Sequence, residues 1–195
     1  PRPEVAEAIR QTLSAGIKVK LVTGDHAVTA RAIARAVGLP ATADTVCSGS
    51  ELAEMNDEEV AATLKTATIF ARVTPVDKQR LVRLLQQQGS VVAMTGDGIN
   101  DAVALKAADI GIAMGSGKDI TREAADLVLL DNNFVTIVSA IRQGRVVRDN
   151  IRKVIAFLLS TNVAEIAIFA LSLLTRLPFP LLPAQILWIN LVTDG

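Results

Sequence analysis

From Val154 to Thr175 the chain runs for 22 residues with a single charge, Glu165. As a helix that stretch spans about 33 Å, enough to cross the hydrocarbon core of a bilayer. Arg142, Arg145, Arg148, Arg152 and Lys153 lie just before it, and only Arg176 follows closely. That asymmetry puts residues 1–153 on the cytoplasmic side. A buried helix of a soluble protein is the competing reading, and the length and one-sided basic flank weigh against it. Pro178, Pro180 and Pro183 mark a short loop into a second apolar segment, expected as a truncated antiparallel membrane helix, so the chain reads as multi-pass. The expected divisions are a domain over residues 1–133, a stalk helix over 134–153 and membrane helices over 154–195.

Before residue 154, short apolar runs alternate with helical patterns, the signature of an α/β domain with a parallel sheet. Helices are expected at about Pro3–Ala15, after the turn Thr23-Gly24-Asp25 to near Val37, at Pro75 to about Gln88 and at 119–125. Strands are expected at Ile17–Val22, Thr68–Val73, Val91–Met94, Ile110–Ala113 and Leu127–Leu130. Residues 40–66 look less regular, with Ser50 and Asn56 as possible helix caps. A long helix begins near Phe134.

Two of these strands end in Thr-Gly-Asp, at 23–25 and 95–97. Asp97 falls at the carboxyl end of a strand, where open α/β sheets bind ligands. Asp101 comes four residues later, at the start of a helix, and the pair of hard oxygen donors suits Mg2+ held together with a phosphate. Gly-Asp-Gly also occurs in plain turns, so the companions matter. Thr23 can offer a hydroxyl and a backbone N–H to a phosphate oxygen, beside a helix N-terminus that favours an anion. Lys78 lies in the first turn of its helix; alone it reads as a surface lysine, but here it can neutralise phosphate charge. Hydroxyl, lysine and paired carboxylates make a phosphoryl-transfer site without its nucleophile.

Composition excludes several alternatives. The 195 residues carry 20 basic and 20 acidic side chains and only 3% aromatics, so neither charge nor stacking surface points to nucleic acid. The single cysteine, Cys47, allows no internal disulfide, and reads as a small residue of a variable segment rather than a nucleophile. His26 is the one histidine, so no histidine-based metal cluster can form. The start, Pro-Arg-Pro-Glu, is expected to be a cut through a longer chain.

In the membrane segment Asn162 and Glu165 are three apart and share a helix face. Counted from Val154, Glu165 lies about 17 Å in, near the bilayer midplane, where a carboxylate marks an ion path by default. Counted from Pro183, Asn190, Thr193 and Asp194 fall at i, i+3 and i+4, with Asp194 about 16 Å in. Hydrogen bonding between helices would explain one such residue. Five on facing stripes suit a hard cation such as Ca2+.

The motifs resemble those of P-type cation-transporting ATPases, whose phosphorylation domain belongs to the haloacid dehalogenase superfamily. The stretches are VTGDHAVTARAIARAVGL (22–39), FARVTPVDKQRLV (70–82), MTGDGINDAVALKAADIGIAMGSG (94–117), DNNFVTIV (131–138), STNVAEI (160–166) and QILWINLVTDG (185–195). The resemblance implies a haloacid-dehalogenase-like Rossmannoid sheet followed by a stalk and the fifth and start of the sixth membrane helices. It implies that Thr23 and Lys78 bind the transferred phosphoryl group and that Asp97 binds Mg2+, with Asn100 and Asp101 in support. Thr23, Gly24, Asp25, Arg72, Lys78 and Asn100 would line the ATP path. Asn-x-x-Glu followed by Asn-x-x-Thr-Asp resembles the calcium-pump branch, although relatives with similar residues handle Na+ or Mn2+. Val103 departs from the proline of many members, with no expected loss of chemistry.

The family forms its aspartyl-phosphate on a DKTGT motif that this sequence lacks, so the chain alone is expected to be inactive and to need the remainder of a pump. Two other readings are a soluble phosphatase of the same superfamily and a membrane-attached regulatory or remnant protein without catalysis.

Overall fold

The computed structural model describes residues 3–178 and 181–194; the side chains of Pro3, Pro183, Asn190, Thr193 and Asp194 lie outside the description. In chain order the elements are α1 (Pro3–Ser14), β1 (Leu21–Val22), α2 (Ala27–Ala36), β2 (Val46–Ser48), α3 (Gly49–Glu54) and α4 (Asp57–Thr66). Then come β3 (Ile69–Ala71), α5 (Pro75–Gln87), β4 (Ala93–Gly96), α6 (Ala102–Ala107), β5 (Ile110–Met114), α7 (Asp119–Glu123) and β6 (Leu127–Leu129). Two helices close the chain, α8 (Phe134–Thr175) and α9 (Pro183–Asp194). One compact unit ends at Ser139 and a second begins at Ala140.

All strand pairs are parallel, as the βα alternation requires, but they form two three-stranded sheets, ordered β1-β3-β2 and β4-β5-β6. Among the described residues no strand pairs with both β1 and β4, so each is a sheet edge. In the first sheet β3 is central and wholly buried, with Phe70 and Ile69 at 0% exposure. Burying such a side chain stabilises by about 1.5–3 kcal/mol.

Several boundaries differ from the sequence expectation for identifiable reasons. β1 covers only Leu21–Val22, because its partner β3 starts at Ile69 and residues 17–20 have no strand beside them. Lys20 instead donates its ammonium to the carbonyls of Leu64 (2.7 Å) and Ala67 (2.6 Å), and burial lowers its pKa. β2 arises inside the segment expected to be irregular. Cys47 sits in it as a core residue, and burial, aided by Glu51, pushes the thiol up to about 11. Ser48 rather than Ser50 caps α3, its backbone N–H donating to Glu51 at 2.6 Å, while Asn56 caps α4 as expected. β4 begins at Ala93 because Asp109 takes the Val92 N–H (2.8 Å), leaving Val91 outside the sheet and 81% exposed. That bond holds the Asp109 carboxyl below its ordinary value.

The two sheets are tied through their helices. α5 packs on α6, and Gln86 Nε2 donates to the Ala107 carbonyl at 3.0 Å. α8, which starts in the first unit and runs on through the second, is the one helix among the described residues long and apolar enough to cross a membrane. Its hydroxyls bond back to its own backbone, Thr161 to Phe157 and Ser172 to Ile168. This leaves few polar groups needing water.

Candidate functional site

The first Thr-Gly-Asp turn hangs on the carboxyl end of β1 and is braced by β3. The Thr23 N–H donates to the Phe70 carbonyl (2.9 Å), so it is not free for a phosphate as the sequence reading expected; the sheet ladder consumes it. The Thr23 carbonyl accepts from Val73 (3.2 Å) and the Asp25 carbonyl from Arg72 (2.9 Å). Thr23 Oγ1 accepts the Asp25 N–H at 3.1 Å, which leaves its own proton to donate outward. α2 starts two residues later, and its N-cap residue His26 makes no side-chain cap, so the orphan N–H groups of the first turn remain available to an anion. Arg72 holds φ +55 and is exposed beside this turn.

The second turn, after β4, is built differently. Asp97 is exposed, and among the described residues its carboxylate makes no hydrogen bond or ion pair. Asp101 is buried at 8% exposure and ends a short 3-10 turn over Ile99–Asp101. One of its oxygens accepts the Gly98 N–H at 3.2 Å and the other accepts from Lys78 Nζ at 2.5 Å. Both partners of this ion pair have side chains only 12% exposed. Gly96 makes the packing possible, since a Cβ there would stand 2.5 Å from Asp101 Cβ.

Lys78 reaches this loop because the local sequence fixes the start of α5. Thr74 Oγ1 accepts the Asp77 N–H (3.2 Å), the Asp77 carboxylate accepts the Thr74 N–H (2.8 Å), and Pro75 occupies the first turn. The same segment carries the β3 end that braces the first turn. The chain from Thr23 through Val73 and Lys78 to Asp101 is therefore one bonded path between two sheets.

Of the residues named from sequence, the structure joins Lys78 to Asp101 and leaves Asp97, Asn100, Gly24 and Asp25 exposed. A single free carboxylate fits Mg2+, which keeps most of its waters and takes one or two carboxylates plus phosphate oxygens. Among the described residues no cluster of three or more His, Cys, Asp or Glu forms a metal site. An open groove of about 750 Å3 between α5, α6 and α7 is lined by Val103 but by none of the candidate site residues. Two contacts escape sequence reasoning: Thr121, fully buried, and Gly117 both press on the Asp97–Asp101 loop. Neither belongs to a pattern that local spacing reveals.

In α8, Glu165 is half-buried, and its Oε1 is enclosed without a hydrogen-bond partner among the described residues. Asn162 is exposed. The side chains of Asn190, Thr193 and Asp194 lie outside the described structure. An enclosed, unpaired carboxylate oxygen is costly in an apolar setting and is the chemistry a cation would relieve.

A haloacid dehalogenase-like hydrolase family matches residues 1–109. The chain is 50% identical over 196 aligned residues, 100% of its length, to a "Calcium-transporting ATPase" of Bacillus subtilis (strain 168), and covers 22% of that protein. It is 44% identical to the "Calcium-transporting ATPase type 2C member 1" of Homo sapiens, again over 100% of the chain and 21% of the relative. Thus it spans about a fifth of the length of these relatives. A crystal structure of a zinc-transporting PIB-type ATPase in the E2.Pi state superposes with TM-score 0.69 at 33% identity, covering 99% of this chain and 25% of that one.

Proposed function

The chain belongs to the haloacid dehalogenase-like hydrolases, and from that premise we propose that it is the phosphate- and Mg2+-handling part of an ATP-driven P-type cation pump. The observation that best supports this reading is the similarity, over the whole of this chain, to about a fifth of the length of calcium-transporting ATPases, the long apolar helix included. A soluble phosphatase of the same superfamily has no use for Glu165 within an apolar helix.

In this reading Thr23, through its free hydroxyl proton, and the first turn of α2 receive the oxygens of the transferred phosphoryl group. Asp97 supplies the exposed carboxylate for Mg2+, which when bound would neutralise charge on the phosphate oxygens. Lys78 and Asp101 form a buried pair that fixes the loop and offers the ammonium toward the phosphate. Gly24, Asp25, Arg72 and Asn100 border the approach of ATP. The nucleophile is an aspartate outside this chain, so residues 1–195 alone form no phosphoenzyme. Residues 1–153 face the cytoplasm, and the protein is multi-pass.

The transported ion is Ca2+. Asn162, Glu165, Asn190, Thr193 and Asp194 offer oxygen only, with no thiolate or imidazole of the kind Zn2+ prefers. The sequence relatives named for calcium agree with that donor set.

The test is phosphorylation by radioactive ATP of membranes holding the full-length protein that carries this chain. Acid-stable label should require Ca2+ and be lost in Glu165→Gln. Label that needs Zn2+ instead, or label on residues 1–195 expressed alone, would overturn the reading.

A further inference from the structure

We propose that Thr121, on α7, is a positioning residue for the Mg2+-binding loop; this rests on the pump reading above. Thr121 is 0% exposed, and its hydroxyl donates to the Gly98 carbonyl at 3.0 Å. Gly98 stands between Asp97, the free carboxylate, and the Asp101–Lys78 pair, and its N–H is already held by Asp101 at 3.2 Å. The peptide groups of this residue are therefore clamped on both sides, by a carboxylate of the loop and by a hydroxyl from another helix.

The clamp has a second contact on the same side. Gly117 lies so close that a Cβ there would come within 3.3 Å of the Asp97 carbonyl and 3.5 Å of its Cα. The segment from Gly117 to Thr121 thus backs the loop while leaving the Asp97 carboxylate exposed to solvent. Thr121 touches neither phosphate nor metal. It acts through Gly98, by fixing the backbone from which Asp97 projects.

A residue of this kind should change the apparent affinity for Mg2+ more than that for phosphate. Groups that orient a metal ligand through one intermediate contact alter metal affinity by about 10–100-fold when removed. Thr121→Val keeps the branched shape and removes the hydroxyl, which leaves the Gly98 carbonyl with the Asp101 N–H (2.9 Å) as its remaining donor. Thr121→Ser restores the hydroxyl.

The experiment is phosphorylation of the full-length protein from inorganic phosphate, titrated with Mg2+ at saturating phosphate and with phosphate at saturating Mg2+. Thr121→Val should raise the Mg2+ requirement about tenfold. It should leave the phosphate requirement within about twofold, with Thr121→Ser near the parent. Equal shifts for both ligands, or none in a variant whose melting temperature matches the parent, would overturn the proposal. If Thr121→Val fails to fold, Thr121→Ser and Thr121→Ala are titrated in the same way; a Thr121→Ala protein with unaltered Mg2+ dependence would also overturn it. An unmodified protein that takes no label at any Mg2+ concentration would count against the pump reading itself.

Discussion

The same tripeptide, Thr-Gly-Asp, closes β1 and β4, and the two turns are built differently. At 23–25 the backbone is spent on bracing β3, the carboxylate of Asp25 is exposed, and a ten-residue helix starts with uncapped N–H groups. After 95–97 a 3-10 turn over Ile99–Asp101 folds a second carboxylate back under the loop and pairs it with a lysine, leaving Asp97 as the outward pole. The glycines record the difference. A Cβ on Gly24 meets nothing within 4 Å, whereas one on Gly96 collides with Asp101. Identical local sequence acquires its chemistry from the segment after it, a long helix in one case and a tight turn in the other.

The strongest way to break this contrast is to remove the lysine that joins the two sheets. Lys78→Met should lower stability by about 2–4 kcal/mol, because it strands a buried carboxylate. Denaturant unfolding of the whole chain in detergent measures it. A loss under about 1 kcal/mol would mean that the Lys78–Asp101 pair does not hold the two sheets together.

Alanine at the two glycines comes next. Gly96→Ala should cost about 1–3 kcal/mol, since the displaced atoms are those of a buried side chain. Gly24→Ala should change stability by less than about 0.5 kcal/mol. Equal losses would show that the turns are packed alike.

A smaller effect concerns pH. The Val92 N–H holds the Asp109 carboxyl below its ordinary value of 3.8. A depressed carboxyl stabilises the fold above that value, and the contribution disappears as pH falls through the lower native one. Among the described residues no carboxylate holds β1 in this way. Amide exchange at Val92, corrected for its intrinsic rate, should therefore accelerate below about pH 4 relative to that at Leu21, whose N–H donates to the Thr68 carbonyl, and Asp109→Asn should abolish the difference.

The range of each interaction decides how much of this was legible beforehand. The parallel α/β character, the Pro75 helix start and the long helix from Phe134 all show in local pattern, because capping and periodicity act within a few residues. β2 was not visible: Val46-Cys47-Ser48 is too short to show a period and becomes a strand only by pairing with β3. The division into two sheets was likewise hidden, since strand order depends on which edges find partners. At the site, the spacing of Asp97 and Asp101 suggested a pair of oxygen donors for Mg2+ held together with a phosphate. Their unequal burial, and the commitment of Asp101 to Lys78 23 residues earlier, needed three dimensions. Thr23 kept its hydroxyl but lost its N–H to Phe70, a contact 47 residues away that no local motif encodes.

The most direct test of the division of labour between the turns is phosphorylation of the full-length protein from inorganic phosphate, comparing Thr23→Val with Asp97→Asn. Thr23→Val should raise the phosphate concentration needed and leave the Mg2+ dependence in place. Asp97→Asn should raise the Mg2+ requirement with little change in stability. If both variants shift the same ligand, the two Thr-Gly-Asp turns do not divide anion from cation.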